Sequence, residues 1–155
     1  MLASEIARQL DASGAPAKGL VLLDSPYPID HQPMPDAIIA HVANTAFSTK
    51  SERRDCIEAQ FKRNAGLLKD YNPPLDTFSI PTAMLLCRDS FNTTRPCGIS
   101  YAWLDDQNYR KQCAQDWKRV VGSSLQVLEI KGNHFNMFSA GNVSHFPDTE
   151  RLVPC

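Results

Sequence analysis

The stretch "GLVLLDSP", Gly19 to Pro26, carries four consecutive apolar residues straight into an acid, a hydroxyl and a proline. A short unbroken apolar run is the pattern of a strand buried on both faces. Turn chemistry explains its end in part, since Asp and Ser open turns and Pro forbids the strand from continuing. A second reason for an acid here is positional. The carboxyl edge of a parallel sheet is where α/β proteins gather their functional groups. The stretch by itself leaves both readings open.

Two further runs repeat the pattern. "TAMLLC", Thr82 to Cys87, follows Pro81, and "LQVLEI", Leu125 to Ile130, precedes a glycine-bearing loop, "KGNHFNMFSAGN". Helical spacing separates the runs. Leu2, Ile6 and Leu10 recur at i, i+4 and i+8, with Gly14 as a stop. Helical patterns also cover Asp36 to Val42, Thr49 to about Leu68, and Tyr109 to Val120. Strands alternate with helices and no hairpin signal joins neighbouring strands, so the expected class is α/β with a parallel sheet. Only three strands are evident and the chain opens on a helix, so it reads as the back half of such a sheet. We expect one domain over residues 1–155, with Tyr27 to Ile80 as a helical lid inserted at the sheet's carboxyl edge.

Composition narrows the function. The 155 residues are 43% hydrophobic and carry 16 basic against 17 acidic side chains, a formal net charge of -1. There is no basic field for nucleic acid and no apolar stretch of membrane-spanning length. The five cysteines are odd in number and scattered, which argues against a disulfide framework and against a metal site and fits a reducing, cytoplasmic setting. The N-x-S/T triplets at Asn92 and Asn142 read as coincidence, and the N-terminal segment lacks the pattern of a signal peptide.

The chemistry-bearing candidates lie beyond strand ends. His134 sits in "GNHFNMF" after the third run, Asp24 ends the first, and Asp89 lies just past the second in "LLCRDS". An acid that orients a histidine through Nδ1 leaves Nε2 free as a base, which is two-thirds of a Ser-His-Asp triad. On pattern alone Asp24 and Asp89 compete for that role, and His134 could equally be an ordinary loop residue. His31, His41 and His145 sit in polar or helical contexts and read as surface residues. No G-x-S-x-G elbow occurs anywhere in the chain, and Ser25, Ser123, Ser124 and Ser139 lack its glycines and its strand-to-helix context.

The segment "MLASEIARQLDASGAPAKGLVLLDSPYPIDHQPMP" resembles the part of fungal non-reducing polyketide synthase thioesterase domains that directly follows the nucleophile elbow, and "GNHFNMF" is similar to their late histidine segment. The resemblance covers nearly the whole chain. It implies a partial α/β-hydrolase fold with Asp24 as triad acid and His134 as general base, leaving Asp89 as the runner-up acid. It also implies a polyketide or acyl thioester carried on the phosphopantetheine of an acyl carrier protein, a parent polyketide synthase as partner, and no metal or redox cofactor. Phe47, Ile57, Phe61 and Leu67 become candidate acyl-lining residues of the lid, although packing within the lid accounts for them equally well. Because the serine segment of that family has no counterpart here, the chain is expected to be a truncated thioesterase domain. The alternative is an inactive pseudo-enzyme that binds a carrier protein or an acyl group.

Overall fold

The computed structural model describes residues 2–46, 51–69, 71, 80–122, 125–144 and 146. Three parallel strands, β1 (Leu20–Leu23), β2 (Thr82–Cys87) and β3 (Leu125–Ile130), form one sheet in the order β1-β2-β3. Leu20 stands opposite Thr82, and Thr82 opposite Leu125, so the three strands start level. Among the described residues seven helices accompany them: α1 (Leu2–Ala12), α2 (Asp36–Ala46), α3 (Ser51–Lys69), α4 (Thr94–Cys97), α5 (Ala102–Asp105), α6 (Gln107–Val121) and α7 (Ala140–Val143). All three expected strands fall on the residues read from the sequence. The short helices α4, α5 and α7 lie in stretches too brief to show a helical period.

β2 is central, and all six of its residues are buried. β1 hides alternate positions, and β3 buries its two end residues, Leu125 and Ile130. On one face Leu20, Leu22, Met84, Leu86 and Leu125 pack with Cys113, Trp117, Val120 and Val121 of α6. On the other, Leu85, Cys87 and Ile130 meet Met137. Trp117 is the largest fully buried side chain, and its indole N–H donates to the carbonyls of Ser25 and Pro26 at 3.2 and 3.1 Å. That pair of bonds ties the middle of α6 to the turn leaving β1. Asp106 caps α6 by accepting from the amides of Asn108 and Tyr109, and Gly122 ends it at φ 80°.

β1 differs from its neighbours. Val21 and Leu23 are about two-fifths exposed, and Leu2, Ile6 and Leu10 along α1 are exposed as well. Among the described residues no strand pairs with the outer edge of β1.

The segment expected to be a lid, Tyr27 to Ile80, contains α2 and α3. Its ends belong to the main core, because Tyr27 and Ile80 pack in the cluster around Trp117. Further along, Ile38 and Val42 of α2 join Tyr101, Trp103 and Leu104 in a second cluster. The helical insertion is therefore anchored to the loop after β2, above the carboxyl ends of the strands. No helix among the described residues is long and apolar enough to cross a membrane.

Candidate active site

The site begins where β1 stops. The Asp24 amide still donates to Leu85 in the ladder at 2.7 Å, but Asp24 itself has φ 39°. Asp tolerates this left-handed region better than most residues. The chain turns off the sheet there, and β2 runs on. The next amide of β2, that of Cys87, is taken by the Asp24 carboxylate, whose Oδ1 accepts it at 2.9 Å. The acid is 1% exposed. Its other oxygen, Oδ2, lies 3.2 Å from Nδ1 of His134. A carboxylate only accepts, so this contact puts the imidazole proton on Nδ1 and leaves the Nε2 lone pair available.

His134 is delivered by the loop after β3. Gly132 takes φ 97°, and a Cβ there would come within 2.6 Å of both Asn136 Oδ1 and Asn142 Nδ2, so glycine is required twice over. Asn133 Oδ1 accepts the amides of Phe135 and Asn136, while Asn136 Oδ1 accepts that of Asn133 at 2.7 Å. These bonds fold the loop into a tight turn. Trp103 and Phe135 then both meet the ring edge-on, at centroid distances of 4.5 and 5.1 Å. The histidine side chain is 28% exposed, against 0% for its acid.

Asp89, the competing acid, is exposed and faces elsewhere. Its Oδ2 accepts the Gly132 amide at 3.0 Å, and its own amide donates to the Gly132 carbonyl at 3.0 Å. It touches the backbone of the histidine loop, while Asp24 touches the ring.

No hydroxyl or thiol among the described residues is hydrogen-bonded to Nε2 of His134. Ser25 donates to the Leu23 carbonyl at 3.3 Å. Cys87 is close to the acid, but burial and then the Asp24 charge push its thiol up to about 12, which leaves it inert as a nucleophile. Ser123 and Ser124 lie outside the described residues.

Beside His134 opens a cavity of about 220 Å³, whose walls include Pro26, Met34, Ile39, Phe61, Tyr101 and Trp103. Of the four lining residues expected from the insertion, Phe61 is in this wall and Ile57 is not. Phe47 and the side chain of Leu67 lie outside the described residues. The cavity also holds a correction: His31, read as a surface residue, is half-buried in its wall. Its sequence context, a polar, proline-rich loop, concealed that α2 folds this loop back over the strand ends. Tyr101 and Trp103 also went unremarked in the sequence, where "SYAWL" has no period to mark it. Of the remaining histidines, His41 rests against Phe91 at 5.9 Å, and His145 lies outside the described residues.

No protein-family model matches the chain. The orsellinic acid synthase of Armillaria mellea is 34% identical over 143 residues, which covers 87% of this chain and 6% of the synthase. That of Beauveria bassiana is 31% identical over 180 residues, covering 93% and 8%. Among solved structures, the NocB thioesterase domain, captured with a fluorophosphonate nocardicin G analogue, superimposes with a TM-score of 0.63 at 17% identity, over 93% of this chain and 57% of that one. The RedJ thioesterase of Streptomyces coelicolor gives 0.57 at 18% identity, over 88% and 51%. The chain thus spans a small part of the curated relatives it matches and just over half of these thioesterase structures. By sequence the chain is homologous to fungal orsellinic acid and polyketide synthases, and its fold is that of part of the α/β-hydrolase fold seen in thioesterase domains.

Proposed function

We propose that this chain supplies the acid and the base of an acyl-transfer centre that releases a polyketide or acyl chain from the phosphopantetheine thioester of an acyl carrier protein. The contact between His134 Nδ1 and Asp24 Oδ2, at the mouth of an apolar cavity, carries the reading. Asp24 fixes the tautomer, and its burial keeps its field on the imidazole. Nε2 of His134 takes the proton of a serine hydroxyl as that oxygen attacks the thioester carbon. The imidazolium returns the proton to the departing thiol as the tetrahedral adduct collapses. The same nitrogen then takes a proton from water, or from a nucleophile of the acyl chain itself, as it attacks the acyl-serine ester, and returns that proton to the departing serine oxygen. No step calls on a metal or redox cofactor. The setting is a cytoplasmic polyketide synthase and its carrier protein. The cavity is smaller than the roughly 300–1,000 Å³ of drug-sized ligand sites, and its aromatic lining suits a compact, ring-bearing acyl group.

Among the described residues no hydroxyl or thiol is hydrogen-bonded to Nε2 of His134, which leaves room for a second reading in which the chain binds an acyl group or carrier protein without turnover. One experiment separates the two. The chain is assayed with an N-acetylcysteamine thioester, alone and then joined to the elbow-bearing segment of a homologous synthase. Release by the joined protein that disappears in His134→Ala supports acyl transfer, with the chain alone at the buffer rate. Release by the joined protein that survives His134→Ala overturns the assignment, and a joined, folded protein without any release leaves the binding module as the better reading.

A further inference from the structure

A second imidazole shares the cavity with His134, and nothing in the acyl-transfer chemistry uses it. His31 and His134 both pack against the indole of Trp103. The His31 ring stands edge-on at 6.3 Å and 89°, and the His134 ring at 4.5 Å. The cavity wall that His31 shares is mostly apolar, with Pro33, Met34, Ile39 and Phe61, and Asn64 adds one polar side chain. An imidazole in such a wall must have a polar partner or lose the hydration it had in water.

Half of that partner is present. The Tyr101 hydroxyl lies 3.4 Å from Nε2 of His31. That hydroxyl already donates its proton to the carbonyl of Gln32. Only its lone pairs are left for the histidine, so Nε2 carries the hydrogen and donates, and Nδ1 is an acceptor. Tyr101 itself is 6% exposed and packed against Trp103, so the pair is held in place. Among the described residues Nδ1 of His31 has no hydrogen-bond partner. Burial also lowers the His31 pKa below the ordinary imidazole value, which keeps the ring neutral and its acceptor intact near pH 7.

We propose that His31 is a specificity-determining residue that accepts a hydrogen bond from a hydroxyl group on the acyl chain, with Tyr101 setting its tautomer. A neutral acceptor held in an apolar wall selects a donor, and a hydroxyl on a compact ring is the donor that such a space accommodates. A binding site built to pair a hydroxyl discriminates against the analogue lacking it, because its own polar group is then left unpaired. This proposal rests on the acyl-release reading, since it takes the cavity to be where the acyl group lies.

Two probes test it on the full chain by isothermal titration calorimetry: the N-acetylcysteamine thioesters of 2,4-dihydroxybenzoic acid and of benzoic acid. Wild type should bind the dihydroxy probe about five- to tenfold more tightly, the worth of one well-formed hydrogen bond. His31→Phe keeps the ring against Trp103 and removes the acceptor. It should bring the two affinities together while leaving that for the benzoyl probe within about twofold. His31→Gln, which returns an acceptor, should restore part of the preference. Equal binding of both probes by wild type overturns the role of His31 and leaves the acyl cavity standing. So does a preference that survives His31→Phe, or the loss of both probes from a His31→Phe variant with a wild-type circular dichroism melt. Failure of both probes to bind wild type overturns the acyl cavity and the proposal together.

Discussion

Asp24 and Asp89 stand one past and two past the ends of neighbouring parallel strands, and both reach the loop that bears His134. They do so in opposite ways. Asp24 is buried, stands at a left-handed backbone position, and spends one oxygen on the Cys87 amide and the other on the imidazole. Asp89 is exposed and spends its contacts on the backbone of Gly132, two residues before the histidine, while its own carbonyl accepts from buried Arg110 at 3.2 Å. One acid addresses the ring, and the other the hinge that carries it. The difference teaches that position at a strand end is not enough to bring an acid to the histidine ring. β1 is two residues shorter than β2, and that places Asp24 beneath the loop from β3, whereas Asp89 has run past it.

The comparison breaks most visibly in turnover. In the chain joined to an elbow-bearing segment, Asp24→Asn should lower thioester release by about 10⁴-fold, because the amide favours the wrong imidazole tautomer. Asp89→Asn should cost less than about tenfold, since its side-chain carbonyl can still accept the Gly132 amide. Equal losses, or the reverse order, would overturn the division of labour.

Stability sharpens the same contrast. Asp24→Ala strands the buried Cys87 amide and should cost about 1–3 kcal/mol in urea melts. Asp89→Ala removes one hydrogen bond whose carboxylate is itself exposed to solvent, so about 0.5–1 kcal/mol is expected. Gly132→Ala tests the hinge directly. Its φ of 97° and the two 2.6 Å contacts awaiting a Cβ predict strain, here about 2 kcal/mol or more. An alanine variant as stable as wild type would mean that the loop is held by something other than this turn.

The smallest expected effect reports on the closed ground around Asp24. Cys56 is exposed, so iodoacetamide should label it readily at pH 8. Cys87, buried and pushed up to about 12, should stay unlabelled in the folded protein and react only as the pH climbs toward that value. Early labelling of Cys87 would show that solvent reaches the acid.

The strands, the parallel sheet and the two strand-end acids were legible in the residues themselves. An unbroken apolar run has few other places to go, and β-strand spacing leaves its mark over four to six residues. The turn at Gly132 was legible for a similar local reason, since only glycine takes that backbone angle cheaply. Which acid meets His134 was not legible from spacing. That depends on two residues of difference in strand length, read across a sheet that brings Asp24 and His134 together from 110 positions apart. His31 was misread on the same account. Its neighbours in the chain are prolines and polar residues, while its neighbours in space are Trp103 and Tyr101. Local sequence determines which backbone a segment adopts, because hydrogen bonding and side-chain alternation act over a few residues. Burial, partner and cavity are set by long-range packing, and only the tertiary structure decided them.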